Sequence, residues 1–188
     1  IVEDLQLAQF QKLQKGVYIL LYNVVVVPPH LLVLVNGKVF SISTKGVEID
    51  KEFDVYWQLI HRNNVPCIFV ELQLPTLFTL DELQEKIRLI TSGFPAVQSH
   101  GVSCLMPIKE FCAEVYQTQK QSVNLVFDLL DALKAKNSII TQIRRFSIEG
   151  EVKSGEELRT KLLQELTQTE SASAVAIGFI KEELKRIF

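Results

Sequence analysis

The chain has 188 residues, 47% of them hydrophobic, which suits one globular domain that buries a core without metal or disulfide staples. Its 20 basic and 22 acidic side chains give a formal net charge of −2, so charge provides no basis for binding nucleic acid or an anionic membrane surface. We expect no transmembrane segment, because no apolar run reaches the roughly 18 residues that a membrane helix needs. The three cysteines cannot form a complete disulfide framework, and reduced thiols favour a cytoplasmic setting.

Residues typical of strands dominate the first part of the chain. The elements predicted there are a helix over residues 5–13 and strands over 17–25, 31–35 and 38–44. Asn36-Gly37, between the last two strands, predicts a two-residue hairpin because both central positions of a type I′ turn require positive φ. Gly46 to Ile49 is expected to continue as a turn with a short extension.

Helical periodicity dominates the remainder. The predicted elements are a helix over 53–61 capped by Asp50, a strand over 66–74, a helix from the capping box Thr79–Glu82 to residue 90, a loop over 92–103, and helices over 104–115, 122–136, from Ser154 onward, and 174–187. This order predicts an α+β fold in which a small antiparallel sheet packs against a nucleophile-bearing helix, with additional C-terminal helices.

The organisation predicted from this order is an α+β core at residues 1–120 and a helical extension at 121–188 that packs on the core. The C-terminal helices are amphipathic, which usually means that they cover their own core. Their apolar faces are also candidates for a homo-oligomer interface.

Cys104 is the first candidate for chemistry. It precedes Ile108 by four residues, so a helix that begins near Cys104 points its thiol toward the sheet. A helix N-terminus favours an anion, lowers a thiol pKa and offers N–H groups to an oxyanion. The alternative is a buried cysteine that behaves as a small apolar residue.

His30 is the candidate base. It follows Pro28-Pro29 and opens an apolar strand, a position at the rim of a sheet from which an imidazole could reach a helix terminus. The alternative is a strand-edge histidine that only hydrogen-bonds. His100, four residues before Cys104, is a rival base or simply a loop residue.

The other cysteines and His61 are less promising. Cys67 in a strand and Cys112 on a helix core face are interpreted as packing residues, and His61 as a solvated one. The three histidines and three cysteines form no zinc-binding spacing, and the sequence has no glycine-rich phosphate loop. We therefore expect neither a metal nor another cofactor.

Residues 12–116 resemble the papain-like NlpC superfamily. The resemblance rests on the strand that starts at Gly16, on His30 opening an apolar strand followed by a tight turn, and on the step Lys45-Gly46-Val47. Because the cysteine follows the histidine, the order is similar to that of the circularly permuted branch, which includes lecithin retinol acyltransferase-like proteins and bacterial amidase-like relatives. Gly101-Val-Ser-Cys104 resembles the nucleophile position of that branch.

The resemblance implies a cysteine hydrolase or acyltransferase that cleaves an amide or ester bond in a small-molecule or peptide substrate. Cys104 would be the nucleophile and His30 the base. The third, orienting position matches Ser41, with Glu71 as a substitute carboxylate. The sequence departs from the family at Leu32, where a small residue is usual, and at Val17, where an aspartate is usual; a catalytically inactive papain-like binding or interaction module is therefore the alternative.

Overall fold

The computed structural model describes residues 2–4, 10–24, 29–97 and 102–146, which form an α+β fold. The strands are β1 (Val2–Asp4), β2 (Val17–Tyr22), β3 (His30–Val35), β4 (Lys38–Ser43), β5 (Gly46–Glu52), β6 (Cys67–Leu72) and β7 (Ile139–Phe146). The helices are α1 (Phe10–Leu13), α2 (Phe53–Arg62), α3 (Leu80–Ser92), α4 (Leu105–Tyr116) and α5 (Val126–Ala135), with a 3₁₀ turn at Lys120–Ser122.

The strands form one sheet in the order β1-β7-β6-β2-β3-β4-β5. The five strands from β6 to β5 pair antiparallel throughout, which confirms the predicted α+β class with an antiparallel sheet. On the other side of β6, β7 pairs antiparallel with it and β1 pairs parallel with β7. Strand β2 therefore lies at the centre, between β6 and β3.

The hairpin between β3 and β4 has the predicted turn. Asn36 and Gly37 have φ values of 50° and 76°, the left-handed conformation that a type I′ turn requires. The carbonyl of Gly37 also accepts a hydrogen bond of 3.0 Å from the Phe53 N–H at the start of α2. The turn thus fixes the register of the hairpin and the position of the following helix.

Two apolar layers cover the sheet, because successive strand residues point to opposite faces. We call them the α4 face and the α2 face. On the α4 face, helices α3, α4 and α5 cover Ile19, Leu31, Val33, Phe40, Ile68 and Val70. On the α2 face, helix α2 covers Tyr18, Leu20, Leu32, Leu34, Val39 and Phe69 through Phe53, Tyr56, Trp57 and Ile60.

Strand β5 is longer than the predicted turn and short extension, and it contains a bulge. Val39 pairs with Lys51 and Ser41 pairs with Glu48, so Ile49 and Asp50 together oppose a single residue of β4. Asp50 has a positive φ of 55° at this bulge. The prediction that Asp50 caps α2 is wrong.

Instead of capping α2, the Asp50 carboxylate fastens α3 to the edge of the sheet. It accepts hydrogen bonds from Arg88 Nε at 2.6 Å and Arg88 Nη2 at 2.9 Å. The N-cap residue of α2 is Glu52, which makes no side-chain capping bond.

Helix α3 begins at the predicted capping box. Thr79 Oγ1 accepts a hydrogen bond of 3.2 Å from the Glu82 N–H, and Glu82 Oε2 accepts one of 2.8 Å from the Thr79 N–H. Helix α4 begins at Leu105 with Cys104 as its N-cap residue, one residue later than predicted. Helix α5 begins at Val126, four residues later than the predicted start.

Strand β7 was not predicted; it lies within the range expected to form a helical extension. Its pairing with β6 extends the sheet. The helices predicted from Ser154 onward and over 174–187, which carry most of the proposed oligomer interface, lie outside the described residues. Within the described residues, no helix is both long and apolar enough to span a membrane.

Candidate functional site

Helix α4 directs Cys104 at the sheet. The cysteine is half-buried and packs against the apolar layer of the α4 face, as its spacing from Ile108 predicted. Its φ and ψ of −59° and −15° are already helical, and its side chain makes no capping hydrogen bond. The thiol therefore lies at the N-terminus of a twelve-residue helix, on the side that meets strand β3.

The thiol lies where strands β3 and β4 separate. Their described pairing runs from Val35–Lys38 to Val33–Phe40 and does not extend to Leu31. The Asn36 N–H points to β2, since it donates to the Gly16 carbonyl at 3.1 Å. Because alternate N–H groups of a strand point to opposite neighbours, the Leu31 N–H points toward β4.

The sulfur of Cys104 occupies the position opposite that N–H group. Hydrogen bonds from the backbone of Leu31 and of Cys104 itself hold the thiol pKa down, but burial is the larger effect, and the net pKa is raised above its ordinary value. The predicted lowering by the helix terminus is therefore outweighed by loss of solvent. Cys104 is protonated at neutral pH.

His30 is paired with Tyr22 at the end of β3, and strand alternation places it on the α2 face with Leu32 and Leu34. It is half-buried. Burial lowers the His30 pKa below 6.5, and the negative charge of Glu48 partly opposes that shift. The imidazole is therefore neutral at pH 7 and lies within the electrostatic influence of a carboxylate.

Glu48 is the centre of a polar cluster on the α2 face. Glu48 Oε2 accepts a hydrogen bond of 3.1 Å from Ser41 Oγ and a short one from the Tyr56 hydroxyl, while Oε1 accepts one of 2.6 Å from Lys51 Nζ. These donors stabilise the charged carboxylate, and although burial alone raises the Glu48 pKa, the net pKa is lowered. The cluster thus holds an ionised carboxylate within electrostatic reach of His30.

The β5 bulge assembles this cluster. Residues three apart on a regular strand point to opposite faces, but the extra residue at Ile49–Asp50 restores Lys51 to the face that carries Glu48. Ile49 itself packs on the α4 face. The Lys51 ammonium also lies 5.7 Å from the centroid of the Tyr56 ring, so it contacts both the carboxylate and its aromatic donor.

The four predicted site residues are only partly brought together. His30 and Ser41 share the Glu48 cluster. Cys104 contacts the backbone of Leu31, the residue after His30, but makes no hydrogen bond with the imidazole among the described residues.

Glu71 lies at the other end of the sheet. It pairs with Tyr18, and Tyr18 with Leu34, four residues and about 13 Å along β3 from His30. A carboxylate at that distance cannot orient the imidazole.

Sequence reasoning did not identify Glu48, Lys51 and Tyr56. The signal for Glu48 was present: it directly follows Gly46-Val47, and a tight turn after Ser43 places it opposite Ser41. That signal was missed because the segment was interpreted as a turn. Lys51 had no comparable signal, since its direction depends on the bulge.

The remaining cysteines are buried in the two apolar layers, which confirms that they are packing residues. Burial raises the pKa of Cys67 to about 12 and raises that of Cys112 as well. The prediction that His61 is solvated is wrong: its ring packs against Trp57, with ring centroids 4.4 Å apart, and its Nε2 atom is buried. The described residues contain no group of three or more histidine, cysteine, aspartate or glutamate side chains placed to hold a metal ion.

Comparison with known proteins assigns no relationship to the chain. It matches no family model, and neither a curated protein nor a solved structure is significantly similar to it.

Proposed function

We propose that the chain is a thiol hydrolase or acyltransferase of the circularly permuted papain-like kind, with Cys104 as the nucleophile and His30 as the base. The observation that supports the proposal best is the position of the Cys104 thiol at the start of α4, against the backbone of the residue that follows His30. The resemblance of residues 12–116 to the NlpC superfamily adds the reaction class: cleavage of an amide or ester bond in a small-molecule or peptide substrate.

In the proposed reaction, the His30 imidazole takes the proton of the Cys104 thiol as the sulfur attacks the substrate carbonyl carbon. The amine or alcohol leaving group departs with that proton, and the acyl group stays on Cys104 as a thioester. Water, or a second acceptor, then loses a proton to His30 and attacks the thioester, which regenerates the thiol. The backbone N–H groups of Leu31 and Cys104, which interact with the sulfur, are the donors available to the oxyanion.

The protonation states fit general-base catalysis better than a preformed ion pair. The Cys104 pKa is raised and the His30 pKa is lowered, so both groups are neutral at pH 7. A neutral imidazole accepts a proton, whereas an imidazolium cannot. His30 lies on the α2 face and Cys104 on the α4 face, so proton transfer between them requires a rearrangement at the start of β3, where His30 is the first residue.

The test is acylation of the intact chain by p-nitrophenyl acetate, a simple activated ester. We expect release of p-nitrophenol together with an acetyl group on Cys104, found by peptide mapping. Replacing the base, His30→Gln, should slow acylation by about 100-fold, the lower range for loss of a general base. Cys104→Ala should abolish the adduct.

The matched control is His100→Gln, which removes the rival base proposed from sequence and should leave the rate unchanged. Equal acylation rates in wild type and His30→Gln, or an acetyl group on another residue, would contradict the proposal. Circular dichroism of each variant verifies that the fold is retained.

A non-catalytic binding module on the same fold is the second candidate. The observation that favours it is the burial that raises the Cys104 pKa, since a protonated thiol is a poor nucleophile. A module would acylate Cys104 only at the rate of an ordinary thiolate, rising with pH as the thiolate forms, and His30→Gln would leave that rate unchanged.

A further inference from the structure

We propose that Glu48 is the residue that orients the His30 imidazole, and that Ser41 and Tyr56 are positioning residues that act through Glu48. This assignment rests on the proposed function for its catalytic meaning, but the arrangement itself can be tested without any reaction. It replaces both orienting residues suggested by sequence: Glu71 is too far along the sheet, and Ser41 donates to the carboxylate.

Pairing and ring contacts link Glu48 to His30 on the same face of the sheet. His30 pairs with Tyr22 across β3 and β2. The Tyr22 ring packs edge-on against the Tyr56 ring with centroids 6.0 Å apart, and the Tyr56 hydroxyl donates to Glu48. These contacts connect Glu48 to the strand pair that carries His30, on the same α2 face, and the charge of Glu48 acts on the imidazole.

The direction of each hydrogen bond supports the assignment. A carboxylate that receives hydrogen bonds from Ser41 and Tyr56 has one oxygen fixed in place, and it stays ionised when the site loses water. An ionised carboxylate stabilises the imidazolium that forms when His30 accepts the thiol proton, a role that a serine hydroxyl fills poorly because it brings no charge. Ser41 and Tyr56 thus support the carboxylate and leave the charge to Glu48.

Lys51 limits the effect of that charge. Its ammonium is 2.6 Å from Glu48 Oε1 and 43% exposed, so it screens the carboxylate from the solvent side. The charge that acts on His30 is that of Glu48, whose own neighbours are Lys51 on β5 and Tyr56 on α2. Tyr22 on β2 pairs with His30, and Cys67 on β6 pairs with Tyr22. Removing either member of the Glu48–Lys51 pair changes the field at the imidazole, in opposite directions.

The experiment is an NMR pH titration of the His30 imidazole in the full chain, with its signal identified by its loss in His30→Gln. Glu48→Gln removes the negative charge, so we expect the His30 pKa to fall by on the order of half a unit or more. Lys51→Met removes the screening cation, so we expect the His30 pKa to rise. Tyr56→Phe leaves the carboxylate charged and should have a smaller effect than Glu48→Gln.

Two matched controls separate charge at this site from charge in general. Glu71→Gln makes the same chemical change as Glu48→Gln, but on strand β6. Lys45→Met is the same change as Lys51→Met, made at an exposed residue next to β5. Neither should move the His30 pKa measurably.

The His30 pKa is expected to fall in Glu48→Gln and to rise in Lys51→Met. A general loosening of the fold would move the His30 pKa in the same direction in both variants, so the two opposite changes keep the inference falsifiable. A His30 pKa that ignores Glu48→Gln, or that responds equally to Glu71→Gln, would overturn the assignment. The outcome is independent of the acylation experiment, since a charge-coupled His30 beside an unreactive Cys104 would sink the enzyme proposal and leave this one standing.

Discussion

The three cysteines of the chain differ in burial, and burial decides which of them can react. Cys67 and Cys112 are fully buried, whereas Cys104 retains some exposure at the start of α4. Reactivity follows the thiolate fraction and access. An alkylating reagent should therefore modify Cys104 first, which makes the folded wild type usable for labelling without replacing the other two.

Gly37 tests the hairpin at the scale of one residue. A Cβ at Gly37 would meet nothing closer than 3.7 Å, so Gly37→Ala adds no clash and only forces an alanine to φ 76°. We expect a loss of about 1–2 kcal/mol in the free energy of unfolding, measured by urea denaturation.

Gly93→Ala is the comparison, because Gly93 has an ordinary helical φ of −79° and no neighbour closer than 3.4 Å. Gly93→Ala should lower the free energy of unfolding far less than Gly37→Ala does. Equal losses in the two variants would contradict the assignment of a backbone requirement to the hairpin.

At the scale of elements, helix α3 shows how much a local sequence signal contributes to the free energy of unfolding. Thr79→Ala removes the hydrogen bond that Thr79 Oγ1 accepts from the Glu82 N–H, the side-chain half of the capping box, and should lower the free energy of unfolding by about 1 kcal/mol. Thr76→Ala, in the preceding loop and exposed, is the matched control and should change stability little. A Thr79→Ala protein as stable as wild type would show that the capping box contributes nothing measurable.

Elements with a local signal were predictable from sequence. The turn residues Asn36-Gly37, the capping box at Thr79 and the helical spacing from Cys104 to Ile108 each act within a few residues, and the structure confirms all three. These signals also put His30 at a strand end and Cys104 at a helix start.

Features that depend on distant parts of the chain were not predictable in the same way. Strand β7 exists because β6 offers it an edge, and Lys51 reaches Glu48 only through a bulge set by pairing with β4. Glu71, the substitute orienter that the sequence suggested, lies about 13 Å along the strands from His30. Contacts of this kind belong to tertiary structure and leave little trace in a single sequence.

At the scale of the whole molecule, the pKa shifts of His30 and Glu48 both make the folded state less stable as the pH falls. The His30 pKa lies below its ordinary 6.5 and the Glu48 pKa below its ordinary 4.5. In the pH range between the folded and unfolded pKa of each group, the unfolded chain therefore binds protons more readily than the folded one. The stability that these groups provide is complete above pH 6.5. It is lost as the pH falls through the pKa values that His30 and Glu48 have in the folded state.

Thermal unfolding followed by circular dichroism from about pH 7.5 to pH 4 should therefore show a melting temperature that falls on acidification. His30→Gln should remove the part of the fall just below pH 6.5 and keep the part that follows Glu48 at lower pH. A melting temperature that rises on acidification, or a His30→Gln curve identical in shape to wild type, would contradict this account.

The β5 bulge also affects how the sheet behaves toward other molecules. In the described part of the chain, β5 forms one border of the sheet, and the opposite border is the three-residue strand β1. Asp50, turned to positive φ midway along β5, breaks the regular row of backbone donors and acceptors that a foreign strand would need for pairing. The residue that fastens α3 to the sheet thus also protects its longer border from strand addition and aggregation.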